Sequence, residues 1–179
     1  MHYVRKKVAT VGFVSSEYLP NKIGLTKFIQ NVWPKFENAE IKLAIYGRIC
    51  YDGLLGFNSR NIVCRGFIEN INSIYSEIDV AINPVYFGAG VKINSLEALA
   101  NGIPLISTSH GARGINFKNK RILMLADSDE LFSKALFSLI KGYECRKILA
   151  DNAYKYMADN FSTEKCYGAL SNVLQLRIK

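Results

Sequence analysis

The chain has 179 residues, of which 49% are hydrophobic, 12% aromatic and 21% charged, which suits one domain with a real core and excludes a mostly disordered chain. Lysine and arginine number 23 against 15 acidic residues, a net charge of +8 with both histidines neutral. No apolar run approaches the roughly 20 residues that cross a bilayer, and residues 1–7 lack the apolar stretch of a signal peptide.

Taken in chain order, short apolar runs alternate with longer segments of helical pattern. Residues 7–14, rich in β-branched side chains, end at Ser15-Ser16 and read as a first strand. A helical segment over 23–36 leads to a second strand, 41–46, stopped by Gly47. A third strand, 61–64, stops at Arg65-Gly66, and a helix over 71–78 follows. A fourth, 79–83, stops at Pro84, and a helix is expected over 91–101. Residues 104–108 and 121–125 complete six strands, with a helix over 127–140 after the last. Asp127 and Glu130 have the spacing of a capping box, and Leu131, Ala135 and Leu139 recur on one face. From Tyr143 onward the pattern is helical only, with a break near Asn160-Phe161-Ser162 that separates 144–157 from 163–177. Strands separated by helices predict a doubly wound α/β domain, a parallel sheet of six strands covered on both faces and followed by a helical C-terminus.

The charge is unevenly placed: nine basic and four acidic residues in 1–60, five and four in 61–120, nine and seven in 121–179. Its scattered distribution, with no base-reading motif, argues against nucleic acid as a partner. Cys50, Cys64, Cys145 and Cys166 form no Cys-x-x-Cys pair, so they read as reduced thiols of a cytoplasmic protein and not as a disulfide framework. No metal-ligand spacing is present, and no cofactor is implied.

In an open parallel sheet, ligands bind beyond the carboxyl ends of the strands. The loops to examine are therefore 12–21, 47–52, 65–70, 84–92 and 107–115. The most informative stretch is Asn83-Pro84-Val85-Tyr86-Phe87-Gly88-Ala89-Gly90-Val91-Lys92, where a strand ends in a Gly-Ala-Gly turn before a helix. Small residues let a ligand approach the backbone, and the free N–H groups of a helix start favour an anion. Lys92 adds a positive charge, so the combination suits a phosphate or diphosphate. A tight strand-to-helix turn would use the same glycines without any ligand. Glu97 shares an arc with Asn94 and Asn101, which is either the polar outer face of the helix or a carboxylate placed to accept hydrogen bonds from ribose hydroxyls. His110-Gly111-Ala112-Arg113-Gly114-Ile115 again brackets basic groups with glycine, and Arg113 has the reach of a phosphate ligand or of an ordinary surface charge. No Gly-x-Ser-x-Gly elbow supports a hydrolase, and Gly12-Phe13-Val14-Ser15-Ser16 lacks the glycine fingerprint of a dinucleotide-dependent oxidoreductase.

Gly12-Phe13-Val14, Pro20-Asn21, Val32-Trp33-Pro34, Gly66-Phe67-Ile68, Gly88-Ala89-Gly90-Val91-Lys92, Leu96-Glu97-Ala98-Leu99-Ala100, Gly102, Pro104 and Gly111-Ala112-Arg113-Gly114-Ile115 occur in an order that resembles the C-terminal, nucleotide-sugar-binding domain of group 1, family 4 glycosyltransferases with the glycosyltransferase-B fold. The resemblance covers residues 7 to 174. It implies a Rossmann-like domain that binds a nucleoside-diphosphate sugar and serves transfer of that sugar to a hydroxyl, a common task of the family being surface polysaccharide assembly. It implies that Glu97 takes the ribose, and that Gly88, Ala89, Gly90, Val91, Lys92 and Arg113 meet the sugar and diphosphate. Phe67 and Ile68 would lie near the base, with Gly12 and Arg48 facing the cleft. Ala89 stands where the family commonly has a first glutamate, so the usual carboxylate contact to the sugar is replaced here by backbone. An N-terminal acceptor-binding domain, absent from this chain, would complete the cleft as partner, with peripheral contact at the inner face of a membrane. The rival expectation is a non-catalytic nucleotide-binding or assembly module.

Overall fold

The computed structural model describes residues 7–51, 60–117 and 121–168. Six strands, β1 (Thr10–Val14), β2 (Lys42–Tyr46), β3 (Ile62–Gly66), β4 (Val80–Asn83), β5 (Leu105–Ser107) and β6 (Met124–Leu125), form one sheet in the order β3-β2-β1-β4-β5-β6. Every pairing is parallel. Around it lie α1 (Leu19–Asn31), α2 (Ile71–Glu77), α3 (Ile93–Ala100), α4 (Asp129–Lys141) and α5 (Tyr143–Phe161). The chain is thus the doubly wound α/β fold that the alternating pattern predicts, with all six strands present.

The side-chain alternation of each strand divides the core in two. Val11, Phe13, Leu43, Ile45, Val80, Ile82 and Ile106 face Leu25 and Phe28 of α1 and Phe132, Leu136 and Leu139 of α4. Ala44, Tyr46, Ala81 and Leu105 face Ile74, Tyr75, Leu99, Ala153 and Tyr156 from α2, α3 and α5 on the other side. On that second face Gly12 stands between Ala44 and Ala81 in register. A Cβ on Gly12 would lie 2.4 Å from Ile78 Cδ1, so the missing side chain is what lets Ile78 close onto the sheet. At the opposite end of β1, the buried Asp79 carboxylate accepts from the Ala9 and Thr10 amides at 2.7 and 2.8 Å.

Local chemistry corrects several boundaries. The first helix begins at Leu19, four residues before the predicted start, because Pro20 is accommodated in its first turn. It stops at Asn31, and Trp33–Phe36 continue as a 3₁₀ turn around Pro34. Ser128, not Asp127, caps α4: its side chain accepts from the Leu131 amide at 3.2 Å. Asp127 instead accepts from the Ser109 amide and hydroxyl. Leu131 is 48% exposed, and the buried stripe of α4 runs through Phe132, Ala135, Leu136 and Leu139. The predicted break in the C-terminal helices falls at Ser162, whose backbone is extended, and helix resumes over 163–168. The rest of the predicted 163–177 helix lies outside the described residues.

The carbonyls at the end of α4 are met by a buried arginine. Arg146, fully buried on α5, donates from Nη1 to the Leu139 carbonyl and to the Ile140 carbonyl at 3.2 Å. No helix among the described residues is long and apolar enough to cross a membrane.

Candidate functional site

Strand order reverses between β1 and β4, and this switch point is where an open parallel sheet leaves a crevice beyond its carboxyl edge. A cleft of about 490 Å³ occupies that place. Four of the five predicted loops line it, through Val14 to Asn21, Gly47 with Arg48, Phe67 to Ile74, and Ala89 to Glu97. The fifth loop, 107–115, supports the wall from behind.

The Gly-Ala-Gly turn has the backbone that its glycines foretell. Gly88 and Gly90 have φ of 107° and 77°, a region closed to most side chains. A Cβ at Gly88 would also meet Pro20 at 3.1 Å, whereas nothing lies within 4 Å of one at Gly90. Two side chains hold the carbonyls of this turn: the His110 Nε2 is 2.7 Å from the Gly88 oxygen, and the Lys92 ammonium donates to the Ala89 oxygen at 3.2 Å. Among the described residues, the N–H groups of Ala89, Gly90, Val91, Lys92 and Ile93 donate to no protein acceptor. A run of five free donors leads straight into α3.

Lys92 stands at the N-cap of α3, one position before the first turn where its spacing would put it. It is only 7% exposed. Desolvation, reinforced by the nearby Arg113 guanidinium, holds its ammonium below the usual lysine range. Among the described residues neither Lys92 nor Arg113 has an ion-pair partner. Two neighbouring cations, one of them nearly buried, thus stand without a carboxylate partner among the described residues, an arrangement able to attract an anion.

Glu97 is half-buried and lines the cleft, which decides between the two faces open to it in the sequence. Burial pushes its carboxyl above the ordinary glutamate value, and the Tyr75 hydroxyl, 3.4 Å from Oε2, opposes that shift. Asn94, one turn earlier, also faces the cleft: its amide donates to the Val14 carbonyl at 3.4 Å and its oxygen accepts from Asn83 at 3.3 Å. Asn101 turns back onto the Glu97 carbonyl instead.

At the far end Arg48, Phe67 and Ile68 line the same cleft. The Arg48 guanidinium lies 5.9 Å from the Phe67 ring centroid, and Phe67 is 56% exposed, an open aromatic face beside a cation. The Tyr51 hydroxyl accepts from the Phe67 amide at 3.3 Å and steadies this corner.

The structure therefore brings Arg48, Phe67, Ile68, Ala89, Val91, Lys92 and Glu97 to one cleft. Gly88 and Gly90 shape the turn without lining it. Arg113 is exposed and reaches the site through its charge on Lys92. Gly12 does not face the cleft: it is buried in the middle of β1 against Ile78, and Val14, Ser15 and Ser16 take the place expected for it. Sequence patterns gave no prominence to Asn94, Tyr18 or Tyr75. Tyr75 looks like any other apolar position of α2 until its hydroxyl is seen against α3.

Comparison with known proteins places the chain in a family. The family described as "Glycosyl transferases group 1" matches residues 8–141. A Klebsiella pneumoniae protein described as an uncharacterized 44.6 kDa protein in cps region is 29% identical over 174 residues, covering 88% of this chain. The chain spans 44% of that relative's length. Among solved structures, the C-terminal domain of the glycosyl transferase group 1 family protein LpcC from Francisella tularensis superposes with a TM-score of 0.67 at 20% identity, covering 87% of each chain. HepE of Anabaena, in complex with UDP and glucose, superposes at 0.74 with 14% identity, covering 94% of this chain and 48% of its own. Sucrose-phosphate synthase of Thermosynechococcus elongatus gives 0.75 at 16% identity, covering 96% and 46%. These likenesses show the shared Rossmann-like fold, and the match over residues 8–141 shows that the chain belongs to the group 1 glycosyl transferases.

Proposed function

We propose that this chain is the donor-binding half of a glycosyltransferase, which moves a sugar from a nucleoside diphosphate to a hydroxyl of an acceptor in surface polysaccharide or glycoconjugate synthesis. The observation that carries this reading is the pair Lys92 and Arg113, without an ion-pair partner among the described residues, beside the five free amides of residues 89–93. Such an arrangement suits a diphosphate, and it becomes more favourable as the diphosphate leaves and its charge grows. Positioned donors and cations would then stabilise the leaving group, with Lys92 nearest and Arg113 acting from the rim. Glu97 would accept the ribose hydroxyls, and Phe67 with Arg48 would flank the base. Ala89 in the turn leaves the sugar to meet backbone groups. The UDP in the HepE complex and the cps-region relative support the same assignment. An N-terminal acceptor-binding domain or partner subunit would close the cleft from the side of Tyr18 and Val91.

The test is a calorimetric screen of UDP-, GDP-, ADP- and dTDP-sugars against the 179-residue chain, repeated with Lys92→Ala and Glu97→Ala. Binding of at least one donor, weakened in both variants, is the expected result. Failure of every donor to bind would overturn the assignment. Binding without turnover after an acceptor domain is supplied would favour a nucleotide-binding assembly module.

A further inference from the structure

Tyr75 is a buried tyrosine behind the wall of the cleft, next to the lining residue Ile74. It sits on α2 at 2% exposure, between Ile74, which lines the cleft, and the second core. Its hydroxyl lies 3.1 Å from the Asn94 carbonyl and 3.4 Å from Glu97 Oε2. Burial, then the Glu97 charge, push its ionisation far above the ordinary tyrosine value, so it is a donor at any working pH. Its single proton thus serves two acceptors on α3: a backbone carbonyl in the first turn and a carboxylate one turn later. From the other side, Asn94 ties the same turn to Val14 at the end of β1. The face of α3 that carries Glu97 is therefore held by hydrogen bonds from both neighbours.

A glutamate on a helix has three rotatable side-chain bonds, and an exposed one must lose that freedom when it binds. At position 97 Oε2 already has a donor, whereas Oε1 has none among the described residues. The anchored oxygen sets the plane of the carboxylate and keeps a second lone pair, while the other oxygen is wholly open, so both can accept from a ligand.

We propose that Tyr75 is a positioning residue for Glu97, orienting its carboxylate so that vicinal ribose hydroxyls are met by a preset pair of acceptor oxygens. This rests on the reading of Glu97 as the ribose acceptor, and the experiment separates the two. The probes are the tightest-binding of UDP, GDP and ADP and its 2′,3′-dideoxy counterpart, titrated calorimetrically into the 179-residue chain and its Tyr75→Phe, Glu97→Ala and double variants.

The native chain should prefer the ribose form, and Glu97→Ala should abolish that preference. Tyr75→Phe, which keeps the ring and the packing, should cut the preference by about threefold to tenfold and leave dideoxy binding unchanged. In the double variant it should add nothing to Glu97→Ala. A second measurement needs no ligand: the ¹³C-detected titration midpoint of the Glu97 carboxyl should rise in Tyr75→Phe, because the hydrogen bond that favours its ionised form is gone. Equal weakening of both probes by Tyr75→Phe would assign Tyr75 to helix packing alone and overturn the proposal. So would an unchanged preference, or an unmoved Glu97 midpoint. If Glu97→Ala itself keeps the ribose preference, the ribose assignment falls, and the proposal with it.

Discussion

Replacing Lys92 by alanine removes the one ammonium at the cleft that is both nearly buried and free of a carboxylate partner among the described residues. Two unit charges 4 Å apart are worth about 4 kcal/mol at an effective dielectric of about 20. Stripping water from a diphosphate offsets part of this, and a hydrogen bond to a charged group nets about 1.5–3 kcal/mol. Lys92 also holds the Ala89 carbonyl, so its loss loosens the turn that presents the free amides. Lys92→Ala is therefore expected to weaken binding of a nucleoside diphosphate by about 2–3 kcal/mol, which is about 30- to 150-fold in Kd. Isothermal titration of the diphosphate and of the matching nucleoside measures this directly. The nucleoside carries no phosphate, so its affinity should hardly change. A loss below about threefold, or the same loss for both ligands, would refute the electrostatic reasoning and leave Lys92 as a structural strut.

The ligand-free protein should show the opposite sign at the same residue. Since the folded state holds the Lys92 ammonium below its ordinary value, the native chain binds fewer protons than the unfolded one over that window, and stability rises with pH up to about 10.4. Lys92→Met should flatten this rise in denaturant titrations and raise Tm near neutrality; a lower Tm would contradict it. At Gly12, alanine should cost about 1–3 kcal/mol in chemical denaturation, because its Cβ would be driven into Ile78, and Ile78→Ala should recover part of that cost in the double variant. Gly88→Ala should lower Tm more than Gly90→Ala, since both positions need a positive φ and only the first also brings its Cβ to 3.1 Å from Pro20; equal losses would show that Pro20 gives way freely. Arg146→Met should destabilise the fold by about 3 kcal/mol or more, measured in urea, because it strips the donor from the buried Leu139 carbonyl and the part-buried Ile140 carbonyl and removes a buried cation near the Asp79 charge.

The architecture was legible in the chain because it rests on local signals. Runs of β-branched and apolar residues closed by Gly47, Gly66 and Pro84 mark strand ends wherever they occur in space, and all six predicted strands lie in the sheet. Helix limits were less legible, since the capping-box spacing of Asp127 and Glu130 cannot show that Asp127 is spent on Ser109 and that Ser128 takes the cap instead. The turn at residues 88–90 was also readable, because two glycines bracketing one small residue before a helix have few other uses.

What the sequence alone determined is thus the element order, the parallel sheet, the Gly-Ala-Gly turn before α3 and the family resemblance. The tertiary structure alone decided which way side chains face. Helical spacing allows Glu97 either face, and only the packing of α3 in the fold shows that it lines the cleft, 3.4 Å from the hydroxyl of Tyr75 on α2, 22 residues away in the chain. Gly12 belonged to a recognisable motif, yet the approach of Ile78 makes it a packing glycine. Lys92 stood out in the sequence for its place beside the Gly-Ala-Gly turn, but its burial and the nearness of the Arg113 charge, which make its ammonium costly to keep, appear only in the fold. The +8 charge of the whole chain said nothing of this, because the energy of a charge depends on the water and partners around it, and only the folded arrangement sets those.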